Sequence, residues 1–194
     1  MRETIVRHIR PAVSLLLLMT ILVGIVYPLV ITAVAKVAFP RQAAGSLLYR
    51  DGKLVGSALI GQNFSDPRYF WGRPSATTPQ PYNGVGSTGS NLGPLNPALI
   101  DQVKANAKAL RDADPENRQP IPVDLVTASA SGLDPEISLA AARYQAHRVA
   151  KARSLPLAQV EELIRSHRRG RLLGFVGERR VNVLELNLAL DRLR

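Results

Sequence analysis

Residues 10–36 read RPAVSLLLLMTILVGIVYPLVITAVAK, and this stretch decides how the chain is organised. Between Arg10 and Lys36 lie 25 consecutive uncharged residues, mostly Leu, Ile, Val and Ala. Because a helix rises about 1.5 Å per residue, about 20 such residues cross a hydrocarbon core of roughly 30 Å. The stretch therefore predicts a membrane-spanning helix, and everything after it is tethered.

This span divides the rest of the chain. The predicted fold class is a single N-terminal transmembrane helix plus one compact α+β extracytoplasmic domain. The predicted segments are a cytoplasmic N-terminus over 1–11, a transmembrane helix over 12–35, a linker over 36–45 and a soluble α+β domain over 46–194. A tethered part of this length has room for one domain with its own core.

A cleaved signal peptide is the alternative interpretation of the same stretch. The N-terminus is basic, and Ala33-Val34-Ala35 resembles a small-residue cleavage site. However, the apolar region of a signal peptide usually runs about 7 to 15 residues, and this one continues past Gly24 and Pro28. The alternative product would be an exported periplasmic binding or hydrolytic domain.

Positive charge sets the predicted orientation. Arg2, Arg7 and Arg10 precede the span, whereas Lys36 and Arg41 follow it closely. Basic residues near a span resist translocation, so this small excess favours a cytoplasmic N-terminus and an external domain.

Five residues share one face of the predicted membrane helix, and this face is our candidate for contact with a partner helix. They are Thr20, Gly24, Tyr27, Pro28 and Ile31. Gly24 allows close approach and the Thr20 and Tyr27 hydroxyls can hydrogen-bond across helices, although a plain lipid anchor is the alternative. Pro28 cannot donate a backbone hydrogen bond to the Gly24 carbonyl, so we expect a kink there unless a neighbour compensates.

Composition excludes several function classes. The formal net charge is +10, and residues 143–194 hold 12 basic and 5 acidic side chains, a net of +7. Those basic residues are not interleaved with stacking aromatics, so no nucleic-acid partner is expected, and a partner-facing surface is favoured. Cysteine is absent, which removes disulfides, thiolate nucleophiles and Cys-ligated metals.

The first part of the domain carries turn and loop signals. Asp51-Gly52 between two apolar runs predicts a β-hairpin. From Gly61 to Pro97 the chain is rich in Gly, Pro, Ser and Asn, which predicts a long structured loop. Four aromatics between Phe64 and Trp71 indicate that this loop packs against the core.

The second part is predicted to be mainly helical. Helices are expected over about 97–112, from Asp134-Pro135-Glu136 to about Arg153, over 154–169, and at the end of the chain. Strands are expected over Val123–Thr127 and Val181–Leu184.

Local motifs give no sign of catalysis. Gly84–Gly89 reads GVGSTG and fits GxGxxG, but no predicted strand precedes it and no predicted helix follows at once. The three histidines are scattered, and no GxSxG elbow or Walker A lysine occurs. No catalytic residue and no metal ligand are therefore predicted.

Five longer stretches, in order, resemble the KdpC family, the C subunit of the Kdp potassium-transporting P-type ATPase. They are GQNF at 61–64, YFWGRPSA at 69–76, GSNLGP at 89–94, VTASASGLDP at 126–135, and VNVL at 181–184 followed by LNLALD at 186–191. The resemblance covers nearly the whole chain. Leu95 and Arg179 depart from the family pattern, where we expect Thr and Pro.

The resemblance implies a function and partners. It implies a non-catalytic subunit of an inner-membrane K⁺ import complex, with KdpA conducting K⁺, KdpB hydrolysing ATP and KdpF as a small stabilising peptide. The family is described as aiding assembly and as a catalytic chaperone that raises the affinity of KdpB for ATP. By resemblance, Ser129, Ser131, Gly132 and Gln145 are candidate ATP-binding residues. An external domain would keep them from cytoplasmic ATP, and a role beside the K⁺ entrance is then expected instead.

Overall fold

The computed structural model describes the backbone of residues 2–193 and the side chains of residues 7–193. Residues 1 and 194, the outer ends of the predicted segments 1–11 and 46–194, lie outside this part. The chain forms two compact units, Met1–Leu47 and Leu48–Arg194.

The first unit is helical and carries the predicted span. Helix α1 (Arg2–Ile21), a π-helical turn (Leu22–Val26) and helix α2 (Tyr27–Ala38) follow without a break, and a short helix α3 (Pro40–Ala43) comes next. From Arg7 to Ala38 this helix is long and apolar enough to cross a membrane. Its side chains are exposed within the unit, as expected for a surface that faces lipid or other helices.

The disturbance predicted near Pro28 takes the form of the π-helical turn. The Tyr27 amide donates to the carbonyl of Leu22, five residues earlier. Pro28 has no amide hydrogen to continue the regular ladder, and a wider turn just before it changes the pairing.

The predicted hairpin comes next along the chain. Strands β1 (Leu47–Arg50) and β2 (Lys53–Ser57) pair as a two-stranded sheet. Asp51 and Gly52 between them have φ values of +50° and +75°, which a tight hairpin turn requires. The described chain then has no helix or strand until Pro97, as the long-loop prediction requires.

The remaining elements form a helical layer beside a small sheet. In chain order they are α4 (Pro97–Ala113), a 3₁₀ turn (Val123–Leu125), β3 (Glu136–Ser138), α5 (Leu139–Arg153), α6 (Leu157–Ser166), β4 (Arg168–Arg169), β5 (Arg180–Asn182) and α7 (Val183–Leu190). The sheet is antiparallel in the order β3-β5-β4, and Ile137 lies opposite Val181. The prediction of α4 is confirmed, as are a helix ending at Arg153 and one within 154–169.

The prediction that a helix starts at Asp134-Pro135-Glu136 is wrong. The Asp134 carboxylate does accept from the Glu136 amide, 3.0 Å away, but the chain then continues as strand β3. Ile137 is 2% exposed and pairs with β5, and this long-range contact overrides the local helix signal. The helix starts at Leu139, and the Ser138 hydroxyl caps it by accepting from the Ala141 amide.

Two strand predictions also need correction. The apolar run Val123–Thr127 forms a 3₁₀ turn, which directs the Asp124 carboxylate to the Ser138 amide at 2.7 Å. The strand expected over Val181–Leu184 ends at Asn182, because the Asn182 side chain accepts from the Glu185 amide and starts α7.

The core lies between the sheet, α5, α6 and α7. Its fully buried members include Phe70, Ile137, Val149, Val160, Val181, Leu186 and Leu190. Phe64 and Trp71 pack against this cluster, so the prediction that the aromatic part of the long loop packs is confirmed.

Candidate functional site

Three of the predicted nucleotide residues lie in the loop before β3, where they hold other loops in place. The Thr88 amide donates to the Ser131 carbonyl at 3.0 Å. The Ser75 hydroxyl donates to the Gly132 carbonyl at 2.7 Å. Ser129 is 4% exposed, and its carbonyl accepts from the Gly132 amide. These residues are therefore engaged with the rest of the long loop.

Gly132 is glycine for steric reasons. Its φ is +67°, and a Cβ there would come within 2.6 Å of both the Thr77 side chain and the Thr88 carbonyl. Any other residue would combine an unfavourable backbone conformation with a collision.

Gln145, the fourth predicted residue, lies under the aromatic segment, which we define as residues 64–73. It is 1% exposed. Its amide oxygen accepts from the Trp71 amide at 2.8 Å, and its amide nitrogen donates to the Trp71 carbonyl at 3.1 Å and the Ala141 carbonyl at 3.3 Å. The side chain thus pairs with the Trp71 backbone much as a neighbouring strand would.

Asn187 on α7 repeats this arrangement one residue earlier. Its amide oxygen accepts from the Phe70 amide at 2.9 Å, and its amide nitrogen donates to the Phe70 carbonyl at 3.0 Å. Two buried side-chain amides, from α5 and α7, therefore pair with the backbone N–H and C=O groups of a segment that has no sheet partner. Asn187 was not among the residues predicted from the sequence. A polar residue within the Leu-rich stretch 184–190 was the available signal.

Arg148 is buried beside Gln145. These two residues together hold the aromatic segment, and we call them the first clamp. The Arg148 guanidinium lies 4.3 Å from the centre of the Trp71 ring and donates to the Pro67 carbonyl at 2.5 Å and to Gln145 Oε1 at 2.7 Å. Burial lowers the pKa of Arg148 to about 10, which still leaves it charged at neutral pH. The ring face and the oxygens replace the lost water.

Arg153, farther along α5, forms a second clamp together with Asp191. It lies 4.7 Å from the Tyr69 ring centre and donates to the Arg68 carbonyl at 2.7 Å and to Asp191 Oδ1 at 2.6 Å. Asp191 also accepts from Arg50 and Tyr69. Burial by itself would raise the pKa of Asp191, but these hydrogen bonds outweigh it and hold the pKa below its usual value.

A cleft of about 280 Å³ lies beside the aromatic segment. Its lining includes Asn63, Trp71, Arg73, Tyr82 and Asn106, and none of the four predicted nucleotide residues. Burial raises the pKa of Tyr82 to about 12, so its hydroxyl stays protonated and donates to the Arg73 carbonyl at 2.5 Å. A Cβ on Gly72 would fall 2.5 Å from that hydroxyl, which explains the glycine.

Two of the four predicted nucleotide residues have their amide groups engaged within the protein, whereas the exposed Ser131 hydroxyl keeps its proton free to donate. The Gly132 amide bonds Ser129, the Ser131 hydroxyl accepts from the Leu133 amide, and the amide group of Gln145 is engaged at both ends. In the part of the chain that the structure describes, no group of three or more His, Asp or Glu side chains could hold a metal ion. The arrangement is a rigid scaffold.

The predicted partner-helix face crosses the π-helical turn. Thr20 lies in α1, Gly24 in the turn, and Tyr27, Pro28 and Ile31 in α2. A π turn holds about one residue more than an α turn, which displaces later residues around the axis by about 100°. The five residues therefore do not form one straight stripe. The notch at Gly24 is open, since a Cβ there meets nothing nearer than the Thr20 methyl at 3.9 Å.

Comparison with known proteins gives one consistent result. The sequence model of the KdpC family, described as "K+-transporting ATPase, c chain", matches residues 9–192. The chain is 63% identical over 183 residues to a "Potassium-transporting ATPase KdpC subunit" from Dechloromonas aromatica, covering 94% of this chain and 96% of that one. A protein of the same name from Methylococcus capsulatus is 59% identical over 189 residues, covering 97% and 100%.

A third relative, again a "Potassium-transporting ATPase KdpC subunit", comes from Variovorax paradoxus. It is 64% identical over 183 residues, which is 94% of this chain and 95% of the relative. The matches run through both units, and the alternative of a released binding or hydrolytic domain finds no support. The chain belongs to the KdpC family, the c chain of the K⁺-transporting ATPase.

Proposed function

We propose that this chain is a non-catalytic subunit of a high-affinity, ATP-driven K⁺ import complex. It assembles with the subunits KdpA, KdpB and KdpF and acts as a catalytic chaperone that raises the affinity of the ATPase subunit for ATP. The family match across residues 9–192, with relatives named for the same subunit, carries this proposal. The rigid scaffold around Trp71 supports it, because a docking domain needs fixed surfaces.

The test is purification of the tagged full-length chain in mild detergent from membranes of K⁺-starved cells. The proposal expects three further subunits in fixed ratio and K⁺-stimulated ATP hydrolysis by the complex. Recovery of the chain alone would contradict it.

The ATP-affinity role has its own kinetic signature. If the chain acts on the ATPase subunit through protein contacts, a complex that lacks it has a higher KM for ATP, restored when the chain is added back. Direct contact of ATP with Ser129, Ser131, Gly132 and Gln145 remains the competing form of the same role. Ser131→Ala separates the two forms, because Ser131 is exposed: a raised KM at unchanged subunit content favours direct contact.

The proposed location is the inner membrane, with a single pass, a cytoplasmic N-terminus and an extracytoplasmic domain. The arginines before the span support this orientation. Because the chain has no cysteine, Val85→Cys provides a single thiol on a residue that is 98% exposed. Labelling in intact, outer-membrane-permeabilised cells by a membrane-impermeant reagent is expected, and labelling only after lysis would place the domain in the cytoplasm.

The role of the span in assembly can be tested at Gly24. A Cβ at Gly24 meets nothing nearer than 3.9 Å, so Gly24→Leu fills the open notch, and we expect any loss of partners to be intermolecular. If a partner helix packs there, association weakens by roughly 1–2 kcal/mol. Leu29→Ala, on an exposed position of α2, is the control. A complex unchanged by Gly24→Leu makes the span a plain anchor.

A further inference from the structure

The connection between β4 and β5 ends in an apolar tip, which we define as residues 171–177. Leu172, Leu173 and Phe175 are 68%, 78% and 74% exposed, and Val176 is 46% exposed. These four apolar side chains lie within five consecutive residues and are all open to solvent. Exposed apolar patches mark interaction sites more often than chance.

The tip is ordered by its own backbone. The Leu172 and Val176 amides each donate to the other residue's carbonyl at 2.9 Å, and the Gly174 amide donates to the Arg171 carbonyl at 3.2 Å. The apolar side chains are therefore presented on a small hairpin of defined shape.

Leu173 is an unfavourable residue where it stands. Its φ is +53°, in the left-handed region that is unfavourable for a bulky L-residue. Its side chain gains no burial in return, since it is largely exposed. Neither local geometry nor the folded domain explains this leucine, and a residue held in such a conformation points to a contact outside the chain.

Basic side chains surround the tip. Residues 168–180 contain five arginines, one glutamate and no lysine. Arg169 bonds Glu136 and Glu185, Arg180 bonds Glu136, and both fix the base of the hairpin to the sheet. Arg171 bonds Glu178 at 3.2 Å. Among the described residues, Arg168 and Arg179 make no ion pair, which leaves two guanidinium groups beside the apolar tip.

We infer that this tip docks into an apolar pocket bordered by carboxylates on another subunit of the complex. The inference rests on the proposed function, because it needs that complex. Leucine and phenylalanine would fill the pocket, and Arg168 and Arg179 would pair with its rim.

A protein partner fits these features better than a lipid surface. Arginine is enriched and lysine depleted at protein interfaces, since the flat guanidinium pairs with carboxylates in a fixed geometry. A fixed hairpin with a strained leucine suits a shaped pocket, whereas anchoring in lipid needs no such shape. The chain already has an apolar helix long enough to hold it to a membrane.

A crosslinking experiment on the intact complex tests the contact directly. Phe175→Cys, in a chain with no other cysteine, is coupled to a benzophenone maleimide and irradiated after assembly. The expected product is one crosslink to another subunit, mapped by mass spectrometry to a segment that contains Asp or Glu. Val85→Cys, 98% exposed in the long loop, is the matched control and should give much less product.

Two results would overturn the inference. One is crosslinking of residue 175 to phospholipid only, which would make the tip a membrane contact. The other is no more product at residue 175 than at residue 85. Either result with all subunits present refutes the docking alone, whereas absence of the other subunits refutes the proposed function.

A substitution pair measures the strength of the contact. Leu173→Asp should lower retention of the partner subunits about tenfold or more, as expected for an interface hot spot. Arg179→Glu should lower it by a smaller factor that shrinks at high salt, as expected for a rim charge. Both variants should keep the melting temperature of the wild type, and unchanged retention in both would overturn the inference.

Discussion

The aromatic segment and the tip use side chains in opposite ways. In residues 64–73 the chain is turned inward: Phe70 is buried, and two amides and two arginines from α5 and α7 bond the backbone of the segment. In residues 171–177 apolar groups are turned outward, on a hairpin that touches little else. Burial and hydrogen bonding therefore identify the free surface better than membership in a recognisable motif.

Gln145 is a predicted binding residue that is buried and hydrogen-bonded within the domain. It belongs to the residues for which the family resemblance implies ATP binding, yet every described bond of its amide goes to the protein. Leu173 is the opposite case. It belongs to no recognisable motif, yet its exposure and its positive φ have no explanation within the domain.

The largest expected effect is on the inward-facing region. Phe70 is fully buried, so Phe70→Ala should lower the free energy of unfolding by about 3–5 kcal/mol. Denaturant unfolding of the full chain in detergent, followed by near-UV circular dichroism, measures it. Leu173→Ala is the control and should stay within about 0.5 kcal/mol. Equal losses of unfolding free energy in the two variants would show that the two regions do not differ in this way.

The buried amides should rank second. Gln145→Leu and Asn187→Leu leave the backbone groups of Trp71 and Phe70 unpaired, which costs about 1–3 kcal/mol for each buried group. Gln145→Glu keeps an acceptor for Trp71 and Arg148 but sets a buried carboxylate oxygen against the Trp71 and Ala141 carbonyls, so it should also be less stable than the wild type. If Gln145→Leu unfolded like the wild type but raised the KM for ATP, the structural interpretation of Gln145 would be wrong.

Melting temperatures measured over a range of pH test the role of the Asp191 charge in the second clamp. The pKa of Asp191 is lowered in the folded state, so its stabilising contribution is present above the unfolded value of about 3.9 and is lost as pH falls through the folded value. Asp191→Asn should therefore be less stable than the wild type at pH 6. The gap between their melting temperatures should narrow below pH 4, and a gap independent of pH would rule out this role for the charge.

The smallest effect on folding should come from the tip. Leu173→Asn replaces a bulky residue by one that tolerates positive φ, so the melting temperature should stay the same or rise slightly. Retention of partner subunits should fall in the same variant. A clear drop in melting temperature would show that Leu173 serves the fold and not a contact.

Local signals gave the parts of the fold that depend on neighbouring residues. The apolar run at 10–36, the Asp51-Gly52 turn and the periodicity of α4 each predicted the observed element. Strand β3 was missed because Asp134-Pro135-Glu136 imitates a helix start, while the pairing of Ile137 with Val181 joins distant parts of the chain. The clamps were missed for the same reason, since nothing near Trp71 in sequence indicates Gln145 or Arg148.

Hydrogen–deuterium exchange on the full chain, alone in detergent and within the purified complex, tests most directly which surface meets the partners. We expect slower exchange of amides 171–177 in the complex, and unchanged, already slow exchange of the bonded Phe70 and Trp71 amides. Equal exchange of 171–177 in both samples, with new protection over 64–73 or 129–132, would contradict this expectation.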